Sequence, residues 1–239
     1  MTPRPATRIG GTAGPWIGAL LLAHYALLVG LKAQSGTMQE LWWNSHVSLV
    51  VAGIGLLAGS TLLVTVPLTA TLIAHFAWVV DAAIGLSTGT FPLNMSAYLA
   101  QTGPLTWIGT SHHVYLSPVL LAVILRHGHY PATTMPLALL MIAALTLISR
   151  YALDPWRNIN SAFIFFPTVR HPINTWMNRQ DALTYLLGLN YFTGVVLVLP
   201  VGAILRRRCA ARLAGAGKKL AINDVGAYPT RSSASSYAS

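Results

Sequence analysis

TWIGTSHHVYLSPVLLAVILRHGHYP, residues Thr106 to Pro131, decides the fold class of this 239-residue chain. The run from Thr106 to Leu125 matches the ~20 apolar residues that cross bilayer hydrocarbon, and Arg126 and His127 close it where polar headgroups begin. Inside that run stand two adjacent imidazoles, His112 and His113. A side chain that titrates near neutrality is expensive in hydrocarbon, so histidines at that depth are candidate acids, bases or ligands.

The rest of the chain has the same character. It is 54% hydrophobic and 8% charged, with a mean hydropathy of +0.57, which excludes an ordinary soluble domain. The sequence predicts an all-α, polytopic bundle of six transmembrane helices at about 15–33, 43–66, 68–88, 105–127, 133–151 and 182–205. The second and third nearly abut at Pro67, which implies either a tight helical hairpin or a boundary lying several residues away. Residues 1–14 form a leader, 15–209 the membrane domain and 210–239 a basic tail that is expected to be disordered, its end from 220 onward rich in Ser and Ala.

Orientation follows from Lys and Arg. With both termini cytosolic, ten of the fifteen lie inside and five outside (Lys32, Arg150, Arg157, Arg170 and Arg179). Seven of the ten, Arg206 to Arg231, follow the last apolar segment. That placement assigns the formal charge of +10 to contact with anionic lipid headgroups and not to nucleic acid. The expected location is the endoplasmic reticulum or plasma membrane of a eukaryote, or the inner membrane of a bacterium. The lone Cys209 permits no intrachain disulfide, and the motifs of nucleotide binding and cysteine zinc sites are absent. Asn94-Met95-Ser96 is a glycosylation sequon on the non-cytosolic side. The loop at about 152–181 contains the aromatic stretch from Ser161 to Trp176, split by prolines. It reads as an interfacial or re-entrant lid over a cavity, or as an ordinary loop packed on the bundle.

Counting ~1.5 Å of rise per residue from the outer helix ends puts His113 roughly 12 Å deep, Asp81 roughly 10 Å, His24 roughly 14 Å and Asn190 roughly 12 Å. Ser45, His46 and Ser48 fall at roughly 3 to 8 Å on the same count. Polar groups in hydrocarbon seek one another, so this common level predicts one water-accessible cavity in the outer half of the membrane. His75 counts as the exception, nearer the cytosolic side, and His127 and His129 as interfacial. Of the adjacent pair only one ring is expected to face the cavity, since neighbouring helical positions differ by about 100°.

Three functions suit such a layer. The first is a lipid hydrolase or acyltransferase without a cofactor, with membrane lipids as substrate. His24, His46, His112 and Asn190 are its candidate substrate-binding residues, with His46, His24 or Asn190 as donors to a tetrahedral oxyanion. The second is a b-type haem electron carrier, because His24, His46, His75 and His113 fall in four consecutive helices. The third is a proton-linked channel or transporter with Asp81 among the imidazoles.

The pattern from His113 through Pro118, Ala122, Leu125 and Arg126 to Tyr130-Pro131 resembles the fourth transmembrane region of the androgen-induced six-span membrane protein family, hydrolases of fatty acid esters of hydroxy fatty acids. Pro67 followed by Phe76 and Trp78 is similar to the family's third region. The two patches cover about a quarter of the chain. The resemblance implies a six-span bundle with an intramembrane Thr nucleophile on helix two and a His on helix four, the latter matching His113. Where the family has Thr, this chain offers Ser48, or less well Ser45, so the resemblance implies Ser48 as nucleophile and His113 as its base, with Asp81 at matching depth as the group that orients the imidazole; the family's long loop between helices two and three is missing.

Overall fold

The computed structural model describes residues 9–166 and 168–225, with side chains as far as 214. Among these residues every regular element is helical, and five helices are long and apolar enough to cross a membrane. Helix α1 spans Gly14–Gln34, α2 Asn44–Ala58, α3 Thr61–Thr88, α4 Pro104–Thr110 and α5 His112–His127. Helix α6 spans Thr134–Ala152, α7 Pro172–Met177 and α8 Ala182–Phe192; a π-helical turn, Thr193–Val198, joins α8 to α9, Leu199–Val225.

Helix α2, predicted as the second of six spans, is apolar but has only 15 residues, ~22 Å of rise against a hydrocarbon core of ~30 Å, and falls short of the five. The predicted 43–66 span was too long because the break falls at Gly59-Ser60 and not at Pro67. Gly59 takes a left-handed φ of 72°, Ser60 N donates to the Gly55 carbonyl at 2.8 Å, and the Ser60 hydroxyl accepts from Leu63 N to open α3. A glycine C-cap followed by a serine N-cap ends one helix and starts the next within two residues. Pro67 instead lies inside α3, where Thr71 Oγ1 donates to its carbonyl at 2.7 Å. The segment read as one helix over 105–127 is likewise divided, at Ser111, into α4 and α5.

Small residues bring α1 and α2 together. A Cβ at Gly18 would stand 2.7 Å from the Gly53 carbonyl, so only glycine permits this approach. The main core, around Leu28, Leu49, Leu68, Leu116 and Leu120, is shared by α1, α2, α3 and α5 and reaches Leu205 of α9. Ile9, assigned by sequence to the leader, is fully buried in it.

Two faces follow from the connections. At the lower face Thr61 Oγ1 meets His127 Nε2 at 3.1 Å, and Gly128 lies against Arg212 of α9. At the upper face residues 35–43, 89–103 and 153–181 join the helices. The tail also departs from expectation: α9 stays helical through Val225, as four alanines between 210 and 216 favour. Residues 226–239, the remainder of the predicted disordered tail, lie outside the described residues.

Candidate functional site

A cavity of about 1050 Å³ occupies the upper half of the bundle. Its floor carries His46, His75 and His113, with Ser45 and Thr71 beside them. One wall is apolar, formed by Leu145, Leu189, Phe192 and Leu197, and Lys32, Glu40 and Arg157 stand at the loops above. Tyr98, in the short helical turn Ala97–Gln101, also lines it, and burial pushes its phenol up to about 12.

The break between α4 and α5 prepares the imidazoles. Ser111 N donates to Ile108 O and Val114 N to Ser111 O, each three residues back, so Thr110 O loses its helical partner Val114 N. His113 Nδ1 donates to that carbonyl at 3.0 Å, and His112 Nδ1 donates to Gly109 O at 2.9 Å. His46 Nδ1 donates to the Glu40 carbonyl at 2.7 Å. With the proton held on Nδ1 by a main-chain acceptor, each ring leaves Nε2 as its free lone pair. His113 is further set by Trp78, which stacks on it at 4.5 Å between centroids and 20° between planes.

His112 is the hub of the cluster. Fully buried, it lies 4.2 Å from His113, 5.0 Å from His46, 5.6 Å from His24 and 6.2 Å from His75, centroid to centroid. It does not line the cavity, and its Nε2 has no hydrogen-bond partner. His75 belongs here too, 5.0 Å from His113, with Nδ1 on Ser117 Oγ at 2.8 Å and Nε2 unpartnered. Its predicted exclusion came from the misplaced start of α3. Counted from Thr61, His75 lies ~21 Å into the helix, at the level of the others.

Three other predicted residues have different partners. Asp81 does not orient an imidazole: its carboxylate accepts from Leu93 N at 2.6 Å, Met95 N at 2.9 Å, and both Ser96 N and Ser96 Oγ at 3.0 and 2.8 Å. The loop after α3 folds back over the helix and supplies all four of these donors. Asn190 ties α8 to α6, donating to Thr146 Oγ1 at 3.1 Å and Leu186 O at 2.8 Å. His24 donates from Nε2 to Gly109 O at 3.0 Å and accepts from Tyr115 OH on Nδ1 at 2.9 Å, so it has no donor left for a ligand. Of the α2 hydroxyls, Ser45 lines the cavity, whereas Ser48 is fully buried behind it with an unpartnered Oγ.

The long upper loop covers the cavity. Asn158, Asn160, Ser161 and Phe166 all take left-handed φ angles of 38° to 55°, and Asn160 fastens the turn by donating to Trp42 O and Ser149 Oγ while accepting from Asn44 N. Phe165 anchors it from below, buried with Tyr185, Leu186 and Leu189. Among the described residues no three His, Cys, Asp or Glu side chains are set to share a metal ion. No family model, curated protein or solved structure matches the chain.

Proposed function

We propose that this membrane protein is an intramembrane lipid ester hydrolase or acyltransferase in which His113 is the general base. The observation that carries the reading is the cavity itself: an apolar wall able to take acyl chain meets a floor of imidazoles whose Nδ1–H groups are already committed. A buried polar atom without a partner costs about 1–3 kcal/mol, and such atoms gather at working sites. Here three of them, on Ser48, His75 and His112, fall around one cavity floor.

In the first step the hydroxyl oxygen of an α2 serine attacks the acyl carbonyl carbon as His113 Nε2 takes its proton. The tetrahedral intermediate collapses, the ester bond breaks, and the leaving alcohol carries that proton away. Water, or an acceptor alcohol in an acyltransferase, repeats the sequence on the acyl-enzyme and frees the serine. Ser45 is the better placed hydroxyl for substrate, Ser48 the unpartnered one. His46 stands beside them as a candidate for the oxyanion only when protonated at Nε2, since its Nδ1–H serves Glu40.

Covalent labelling with a fluorophosphonate tests this directly. Labelling of the wild-type protein is expected to vanish in His113→Ala and in one of Ser45→Ala or Ser48→Ala, which identifies the nucleophile. Labelling and lipid ester turnover that persist in all three variants would overturn the proposal. A Soret band in the purified protein would instead establish the haem reading.

A further inference from the structure

The cavity has a charged mouth that ester hydrolysis does not require. Lys32, at the end of α1, and Arg157, in the turn Pro155–Arg157, contact different oxygens of one carboxylate, Glu40, each at 2.5 Å. All three line the cavity and are mostly buried, their side chains 21%, 13% and 25% exposed. They are the only Lys, Arg, Asp or Glu among its lining residues, so two cations and one anion leave a charge of +1. Asp154, the nearest other acid in sequence, exchanges hydrogen bonds with Gln39 instead.

We infer that Lys32 and Arg157 form an oxyanion subsite for the phosphate of an anionic glycerophospholipid, occupied by the Glu40 carboxylate when no lipid is bound. This rests on the lipid-ester reading above and names the substrate class. Lys has three donors and Arg five in a planar fork, so Glu40 does not exhaust them. Two cations gripping opposite oxygens of a carboxylate are equally set for the two non-bridging oxygens of a phosphodiester.

Glu40 also fixes the spacing. Its side chain holds the cations while its main-chain carbonyl holds His46, so one residue ties the subsite to the nearest ring of the histidine floor. A ligand filling both needs its anion and its ester separated by only a few bonds. A glycerophospholipid has that spacing through its glycerol, with acyl chains left to run along the apolar wall. Beyond the cations, Asn158, Ser35 and Thr37 line the mouth and suit a hydroxylated headgroup.

The test is binding of short-chain lipids to the full-length protein in neutral detergent, which needs no turnover. Dihexanoylphosphatidylglycerol is expected to bind about tenfold more tightly than dihexanoylphosphatidylcholine, whose choline meets the cations. K32Q and R157Q each weaken the first lipid by about tenfold. E40Q, which removes the internal competitor but keeps the carbonyl that holds His46, tightens it; a purely structural role for the ion pairs would give the opposite. Equal binding of the two lipids, hexanoate binding as well as phosphatidylglycerol, or losses seen only when Arg206, Arg207 and Arg208 become Gln would overturn the subsite. Failed serine labelling with these binding results intact would remove the hydrolase reading and leave the subsite standing.

Discussion

The imidazoles of α5 differ in what they leave free. His113 faces the cavity with Nε2 open, whereas His112 is packed among four rings, so the two are expected to separate by variant. His113→Ala should lower turnover at least about a hundredfold, as loss of a general base does, with the melting temperature nearly unchanged. Ser117→Ala strips the partner from His75 Nδ1 and should destabilise the fold by about 1–3 kcal/mol in thermal unfolding. Asp81→Asn distinguishes a loop anchor from a triad member: it should lower the melting temperature while the folded fraction keeps its turnover. Sequence carried the depth of these groups but not their lateral neighbours. Asp81 stands six residues, ~9 Å, beyond His75 along α3, and a count of rise says nothing of which loop folds back onto a carboxylate. His75 was lost for a different reason, an error of seven residues in the start of its helix.

That error shows what is legible about elements. Hydrophobic runs located all five helices long and apolar enough to cross a membrane, because the bilayer imposes their length. The turn between α2 and α3 was hidden inside one such run, since Gly59 and Ser60 interrupt hydropathy far less than Pro67 does. The Gly-Ser pair was the available signal, a C-cap followed by an N-cap. Proline was the stronger but misleading one: membrane helices tolerate it, and Pro67 sits within α3 with its own carbonyl accepting from Thr71 Oγ1. The packing of α1 on α2 yields a further expectation. Gly53→Leu would drive a side chain into Leu22 and the Gly18 carbonyl, and should cost about 1–3 kcal/mol, read as a lower melting temperature in detergent.

At the level of the whole molecule, polar connections concentrate at the upper face. The Arg157–Glu40 ion pair and the Asn160 bonds to Asn44 and Trp42 join residues more than a hundred positions apart in sequence, and the buried Phe165 anchors the loop onto α8. The sequence suggested a lid through aromatic residues and prolines, and left it level with an ordinary loop. What decided its place were left-handed asparagines and side-chain to main-chain bonds that no periodicity encodes. Asn160→Ala should therefore speed hydrogen exchange of residues 158–166 while leaving the helices protected, measurable by mass spectrometry of the protein in detergent. The membrane-domain architecture was thus readable from bulk composition, but the histidine cluster only in part, because it is assembled by contacts between four helices.

The indole of Trp78 lying flat on His113 has a consequence for observation. A protonated imidazole against an excited indole accepts an electron and quenches its emission, whereas a neutral ring does so weakly. With the other six of the chain's seven tryptophans replaced by Phe, Trp78 becomes an intrinsic optical reporter of whether His113 holds a proton. Its brightness would follow the base through each turnover from inside the membrane, with no dye attached.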